Sequence, residues 1–196
     1  LIPTITEVLA EAGMEYSDLD AVVTGVGPGP FTGLRVGMAT ASALADALSI
    51  PLHGICTHDA IAAAAELHVD PAAAADEATA LVATDARRKE IYWATYRVTD
   101  SGVQRISGPA VTKPAELEVE LTPTAEVIIP DRLAEQLPEK LAALPHRAAH
   151  PTAAALVAAA DLEAEPVPVV PLYLRRPDAV PPKQKQLSAA IPRVEL

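Results

Sequence analysis

The sequence predicts an α/β protein of two lobes, and three observations carry that expectation. Residues 21–67 alternate strand, helix, strand, helix, the order of a parallel α/β unit. A loop rich in glycine and proline, residues 25–33, joins the first strand of that unit to a long helix. Further on, two apolar runs at 81–85 and 91–98 flank the polar segment 86–90, which reads as an antiparallel hairpin.

Taken in order, Ile2, Ile5, Leu9 and Ala12 recur at helical spacing, and Gly13 stands where a C-cap glycine belongs. Ser17, Asp18, Leu19 and Asp20 form a polar turn. Residues 21–25 are short, β-branched and bounded by Gly25, as a buried strand is. A helix is expected over 31–48, with Pro51 ending it because proline cannot continue a helix. Residues 52–56 read as the next strand. Thr57 or Asp59 then caps an alanine-rich helix running to about Leu67. The alanine-rich connection at 71–78 is the expected boundary between lobes, which assigns 1–70 to the first and 79–176 to the second. In the second hairpin strand Ile91, Trp93, Thr95 and Arg97 face one way, and Tyr92, Ala94, Tyr96 and Val98 the other. A buried strand at 127–129 precedes helices over 131–144 and 152–160. The chain is proline-dense from Glu165, and 177–196 is expected to be a flexible tail. No internal repeat is visible.

Charge narrows the function. Fifteen Lys and Arg face 26 Asp and Glu, a net charge of −11. Nucleic-acid affinity rests on cations that neutralise phosphates, so direct binding of tRNA by this chain alone is not expected. The longest uncharged run, residues 21–34, is too short and too interrupted to span a bilayer. Cys56, the single cysteine, excludes an internal disulfide and a thiolate zinc site. Without a secretory signal before the first element, a reducing cytoplasm is the expected setting. The chain opens at Leu1, inside a helical pattern, which suggests a segment lacking its native beginning.

The segment 25–37 is the most informative. A strand, a glycine loop and a helix start invite a phosphate site. However, no lysine lies between residues 1 and 50, and Pro28 and Pro30 remove two amide donors. A rigid turn that sets the start of the helix fits the loop better. Within the helix, Gly33, Gly37, Ala41 and Ala45 sit four apart as a strip of small side chains, beside Leu34 and Met38. Two glycines inside a helix each cost about 1 kcal/mol relative to alanine, so close approach of another backbone must compensate. That backbone belongs either to this chain's own first helix or sheet, or to another molecule. On the second reading Gly37→Leu or Ala41→Glu abolishes pairing. Arg35 occupies the first helical turn, an unfavourable end for a cation. Asp18, Asp20 or a partner-borne phosphate is its expected counter-charge.

The run Gly-Pro-Gly-Pro-Phe-Thr-Gly-Leu-Arg-Val-Gly at 27–37 resembles the signature of the TsaB (YeaZ) family, with Pro30 in place of the usual serine. Asp-Ala-Arg-Arg-Lys-Glu-Ile-Tyr at 85–92 and Pro-Leu-Tyr-Leu-Arg at 171–175 are similar to two later motifs of that family. The resemblance covers about residues 1–176 and implies a two-lobe actin/Hsp70-like fold. It also implies a non-catalytic role in forming N6-threonylcarbamoyladenosine at position 37 of tRNAs that read codons beginning with A. The implied partners are a TsaD-like transferase, bound as a heterodimer, and a TsaE-like ATPase; a homodimer is plausible in isolation, and tRNA is reached only through the complex. The implied docking surface lies on the first two helices and comprises Ile2, Ile5, Leu9, Gly33, Leu34, Gly37, Met38, Ala41 and Ala45. Gly27, Gly29, Phe31, Thr32 and Arg35 form the structural loop beside it.

Enzyme readings have less support in the residues. His53, His58, His68, His146 and His150 lack zinc-site spacing, and no His-Glu-x-x-His occurs. Cys56 reads as an inert buried thiol. Asp85 suits a turn cap better than an acid in a nucleotide cleft. Arg87, Arg88 and Lys89 read as a solvated hairpin tip. No catalytic, cofactor or metal residue is therefore expected. The alternatives are a nucleotide-dependent phosphotransferase or hydrolase of the actin-like class, and a metal-dependent peptidase.

Overall fold

The structure is a computed structural model that describes residues 1–65, 67, 78–99 and 102–175. Helix α1 (Ile2–Ala12) ends on Gly13 in the left-handed conformation, φ 67°, where the amides of Gly13 and Met14 satisfy carbonyls of the last turn. A short 3₁₀ turn (Tyr16–Asp18) leads to β1 (Val22–Gly27), which pairs in parallel with β2 (Leu52–Cys56) across helix α2 (Phe31–Leu48). Helix α3 (Thr57–Ala64) follows. The second sheet has the order β5-β4-β3-β6-β7, from β3 (Ala78–Arg87), β4 (Glu90–Thr99), β5 (Gly102–Thr112), β6 (Glu126–Ile128) and β7 (His146–Arg147). Strands β3, β4 and β5 form an antiparallel meander, whereas β6 and β7 add in parallel.

Both faces of the five-stranded sheet are covered. On one, Ile61 and Ala62 of α3 and its C-cap Ala65 pack on Ala80, Val82, Ala94 and Tyr96. On the other, Leu133 and Ala134 of α4 (Asp131–Ala134) and Leu141 of α5 (Glu139–Ala142) pack on Leu81, Ile91 and Val127. The alternation expected in β4 accounts for this division, with Ile91 on one face and Ala94, Tyr96 and Val98 on the other. Helix α6 (Ala153–Ala158) is capped by Thr152, whose hydroxyl accepts from the Ala155 amide at 3.0 Å. The chain then returns to β1, where the Leu172 amide donates to the Val26 carbonyl at 2.8 Å.

Helix α2 spans Phe31–Leu48 as expected, and Ser49 closes it in the left-handed cap conformation at φ 56°, two residues before Pro51. Several expectations are corrected. Neither Thr57 nor Asp59 caps α3; the cap position is Cys56, with no side-chain hydrogen bond, and Asp59 is engaged elsewhere. The helix expected over 131–144 is two short helices, because Pro138 has no amide to continue the first and instead begins the second. Strand β5 has no sequence signature, since its exposed, polar, glycine-containing run pairs on one side only, with β4. Of the boundary expected at 71–78, residues 71–77 lie outside the described residues, as does the tail expected at 177–196.

Candidate functional site

The three sequence motifs converge on one cleft. Its walls are Gly29, Pro30 and Phe31, where α2 begins; Asp85–Arg88 and Tyr92 of the β3–β4 hairpin; and the returning segment 172–175. The cleft has a volume of about 430 Å³. Gly27 permits this meeting. Its φ is 100°, and a Cβ there would lie 3.1 Å from Leu34 Cδ2 and 3.4 Å from the Leu172 carbonyl oxygen. Gly29 has open space where a Cβ would stand, and Thr32 is exposed.

Arg35 does not find the aspartate expected for it, and makes no ion pair with a carboxylate among the described residues. Its guanidinium carbon lies 4.1 Å from the Phe31 ring centre and 5.7 Å from that of Tyr173, and its Nε donates to the Tyr173 hydroxyl at 2.8 Å. The rings of Phe31 and Tyr173 are 5.2 Å apart. The cation at the helix start is held by aromatic faces and a phenol from a segment 138 residues away, which local charge spacing could not reveal.

The opposite wall is strained. Arg87, Arg88 and Lys89 are all left-handed, with φ of 63°, 54° and 63°, so the two-residue turn uses side chains where glycine or asparagine is usual. Asp85 acts as the turn residue it was expected to be, since one carboxylate oxygen accepts from the Arg87 amide at 2.7 Å. The other pairs with Arg132 at 2.6 Å, and this bond holds the Asp85 carboxyl below its ordinary pKa. Glu90 pairs with Arg175.

The expected docking residues divide into two groups. Leu9, Met38, Ala41 and Ala45 are buried within this chain, and Ile5 and Leu34 are half-buried. Gly33 and Gly37 look into open space, and a methyl group at either position would have no atom within 4 Å. The split follows from helix geometry. Steps of four residues overshoot a turn by about 40°, so a strip of four such positions winds roughly 120° around the axis, from solvent to the sheet. Beside the two glycines Val36 is 51% exposed, and Ile2 and Val8 of α1 are 47% and 58% exposed.

A buried polar cluster has no counterpart in the sequence reading. His58 is fully buried on α3; its Nε2 lies 2.9 Å from Thr84 Oγ1. Burial, aided by Arg105, lowers its pKa to about 4. Nearby, the Tyr96 hydroxyl donates to Asp59 at 2.9 Å, and Arg105 pairs with Asp59 at 3.2 Å. Burial raises the pKa values of Tyr96 and of the Cys56 thiol, consistent with an inert cysteine. Among the described residues no three His, Cys, Asp or Glu side chains group as a metal site; His68 lies outside them.

Comparison with known proteins identifies the fold and the motifs together. Residues 1–151 match the family model described as "TsaD: tRNA N6-adenosine threonylcarbamoyltransferase". The chain belongs to this family. It is 46% identical over 188 residues to an uncharacterized protein of Mycobacterium leprae, covering 92% of this chain and 45% of that protein. It is 34% identical over 104 residues to the tRNA threonylcarbamoyladenosine biosynthesis protein TsaB of Escherichia coli, covering 53% of this chain and 42% of TsaB. The chain thus spans less than half the length of both relatives. The solved structure of YeaZ from Pseudomonas aeruginosa superposes with a TM-score of 0.68 at 25% identity, over 89% of this chain and 83% of that one. These likenesses place the chain among the TsaB (YeaZ) members, with their actin/Hsp70-like α/β fold. Among the described residues no helix is long and apolar enough to cross a membrane.

Proposed function

We propose that the chain is a non-catalytic docking subunit for a TsaD-type transferase in the cytoplasm. It supports formation of N6-threonylcarbamoyladenosine at position 37 of tRNAs that read codons beginning with A. The relative named TsaB carries this biosynthesis in its name. The observation that carries the docking reading is the open half of α2, where Gly33 and Gly37 leave a groove without side chains beside exposed Val36. Helix glycines that meet nothing in their own chain cost stability with no return inside the monomer, and a partner helix seated on them supplies it. Ile2 and Val8 of α1 extend the apolar area available to the transferase. The buried residues Leu9, Met38, Ala41 and Ala45 hold the two helices in place instead of touching the partner. Ala41→Glu is therefore a poor probe of docking, because it would bury a charge inside this chain. A TsaE-like ATPase joins the heterodimer, tRNA reaches this chain only through the complex, and the same groove pairs two copies when the transferase is absent.

Co-purification with the transferase tests the reading. Val36→Asp puts a charge on the exposed face and is expected to weaken heterodimer formation at least about tenfold, leaving thermal unfolding of the isolated chain within a few degrees. Undiminished pairing would remove this surface from consideration.

A further inference from the structure

We propose that the pocket framed by α3, β5 and α6 binds a small aliphatic zwitterion of the α-amino-acid class. Arg105 takes its carboxylate, Asp59 its ammonium, and the alanine walls its apolar side chain. The pocket has a volume of about 590 Å³, in the range of small-molecule sites. Ala62 and Ala63 of α3, Val103 of β5, and Ala158 and Ala159 at the end of α6 line it, together with the two charged side chains. Alanine on both facing helices leaves space that longer side chains would fill. Arg105 lies opposite Tyr96 in the β4–β5 ladder, and both side chains reach Asp59. Both contacts fall on one carboxylate oxygen, Oδ1, with the Tyr96 hydroxyl at 2.9 Å and Arg105 Nη1 at 3.2 Å. Among the described residues Oδ2 of Asp59 and Nε and Nη2 of Arg105 have no hydrogen-bond partner. Tyr96, 1% exposed, anchors the carboxylate, whereas the Asp59 and Arg105 side chains are 30% and 33% exposed. An acceptor and a guanidinium fork thus stay open side by side. A ligand with a single charge of either sign is attracted by one group and opposed by the other, because the two sit 3.2 Å apart. A zwitterion whose charges share one carbon satisfies both with charge-assisted hydrogen bonds. A half-exposed ion pair contributes little to stability by itself, so sharing it with a ligand costs the fold little.

L-Leucine is the probe, titrated into the chain and followed by NMR. Of its controls, 3-methylbutylamine lacks the carboxylate, 4-methylpentanoate the ammonium, and glycine the apolar side chain. Leucine is expected to give saturable shifts at Ala62, Ala63 and Val103, and each control to bind at least about tenfold more weakly. Asp59→Asn keeps an acceptor for the Tyr96 hydroxyl, and Arg105→Gln removes only a half-exposed charge. Each is expected to lower the affinity for leucine at least about tenfold, with the unfolding midpoint held within a few degrees. Absence of saturable shifts in the pocket, a control that binds as well as leucine, or full affinity in either variant overturns the proposal. The three controls need no variant, so the test holds even where a substitution unfolds the chain. None of the lining residues belongs to the docking surface and no transferase is needed, so failure here leaves the docking reading untouched.

Discussion

Gly37→Leu is expected to act with opposite signs on the isolated chain and on the complex. Gly37 is the seventh residue of an 18-residue helix, and a Cβ there would meet no atom within 4 Å. The leucine side chain therefore enters solvent without a clash, and the helix gains the propensity difference between the residues, about 0.8 kcal/mol. For a chain of 196 residues that raises the unfolding midpoint by roughly 2–3 °C. In the complex the same side chain wedges into the groove. Overpacking a close helix contact costs about 1–3 kcal/mol, which weakens pairing by roughly 5- to 150-fold. Thermal unfolding of the chain alone and calorimetric titration with the transferase measure the two effects. A lower midpoint would mean that the space beside Gly37 is filled, and unchanged pairing would mean that no partner helix lies there. Either outcome refutes the reasoning.

Two further predictions concern the fold that supports the site. Below pH 6.5 the unfolded chain takes up a proton at His58 that the folded chain refuses until about pH 4, so stability should fall across that window by up to roughly 3 kcal/mol. Denaturant titrations at stepped pH check this, and His58→Gln should flatten the slope; an unchanged slope would assign it to other groups. Asp85, with its depressed pKa, contributes only at lower pH, as Arg132 loses its partner. Gly108→Ala should destabilise by at least about 3 kcal/mol, because φ is 84° and the Cβ would lie 2.6 Å from the Trp93 carbonyl oxygen, a backbone atom that cannot step aside. Urea unfolding reads it directly, and a loss under about 1 kcal/mol would show that β4 and β5 are not so closely apposed.

The local signals in this chain are strong where a single element carries them. The spacing of Ile2, Ile5 and Leu9, the glycine at 13, the β-branched run of β1 and the alternation of β4 each fix a backbone form from neighbours in sequence. The motif at 27–37 likewise marks the family, because a loop needing glycine at Gly27 tolerates few alternatives. The single long helix predicted at 131–144 does not form. The apolar period of Leu133, Leu137 and Leu141 suggests it, but the missing amide of Pro138 decides the matter.

What only the tertiary structure decided was which side chains meet. Composition shows a chain of net charge −11, yet it cannot say that Arg87 and Arg88 share a cleft with Phe31 and Tyr173. The strip from Gly33 to Ala45 is one line in sequence, and the pitch of the helix together with the position of β1 exposes one end and buries the other. Nothing next to His58 in sequence marks it for burial, which comes from the five-stranded sheet through Thr84 of β3. Backbone form depends on near neighbours, whereas burial and charge pairing depend on segments brought together by chain closure, and no local pattern records those.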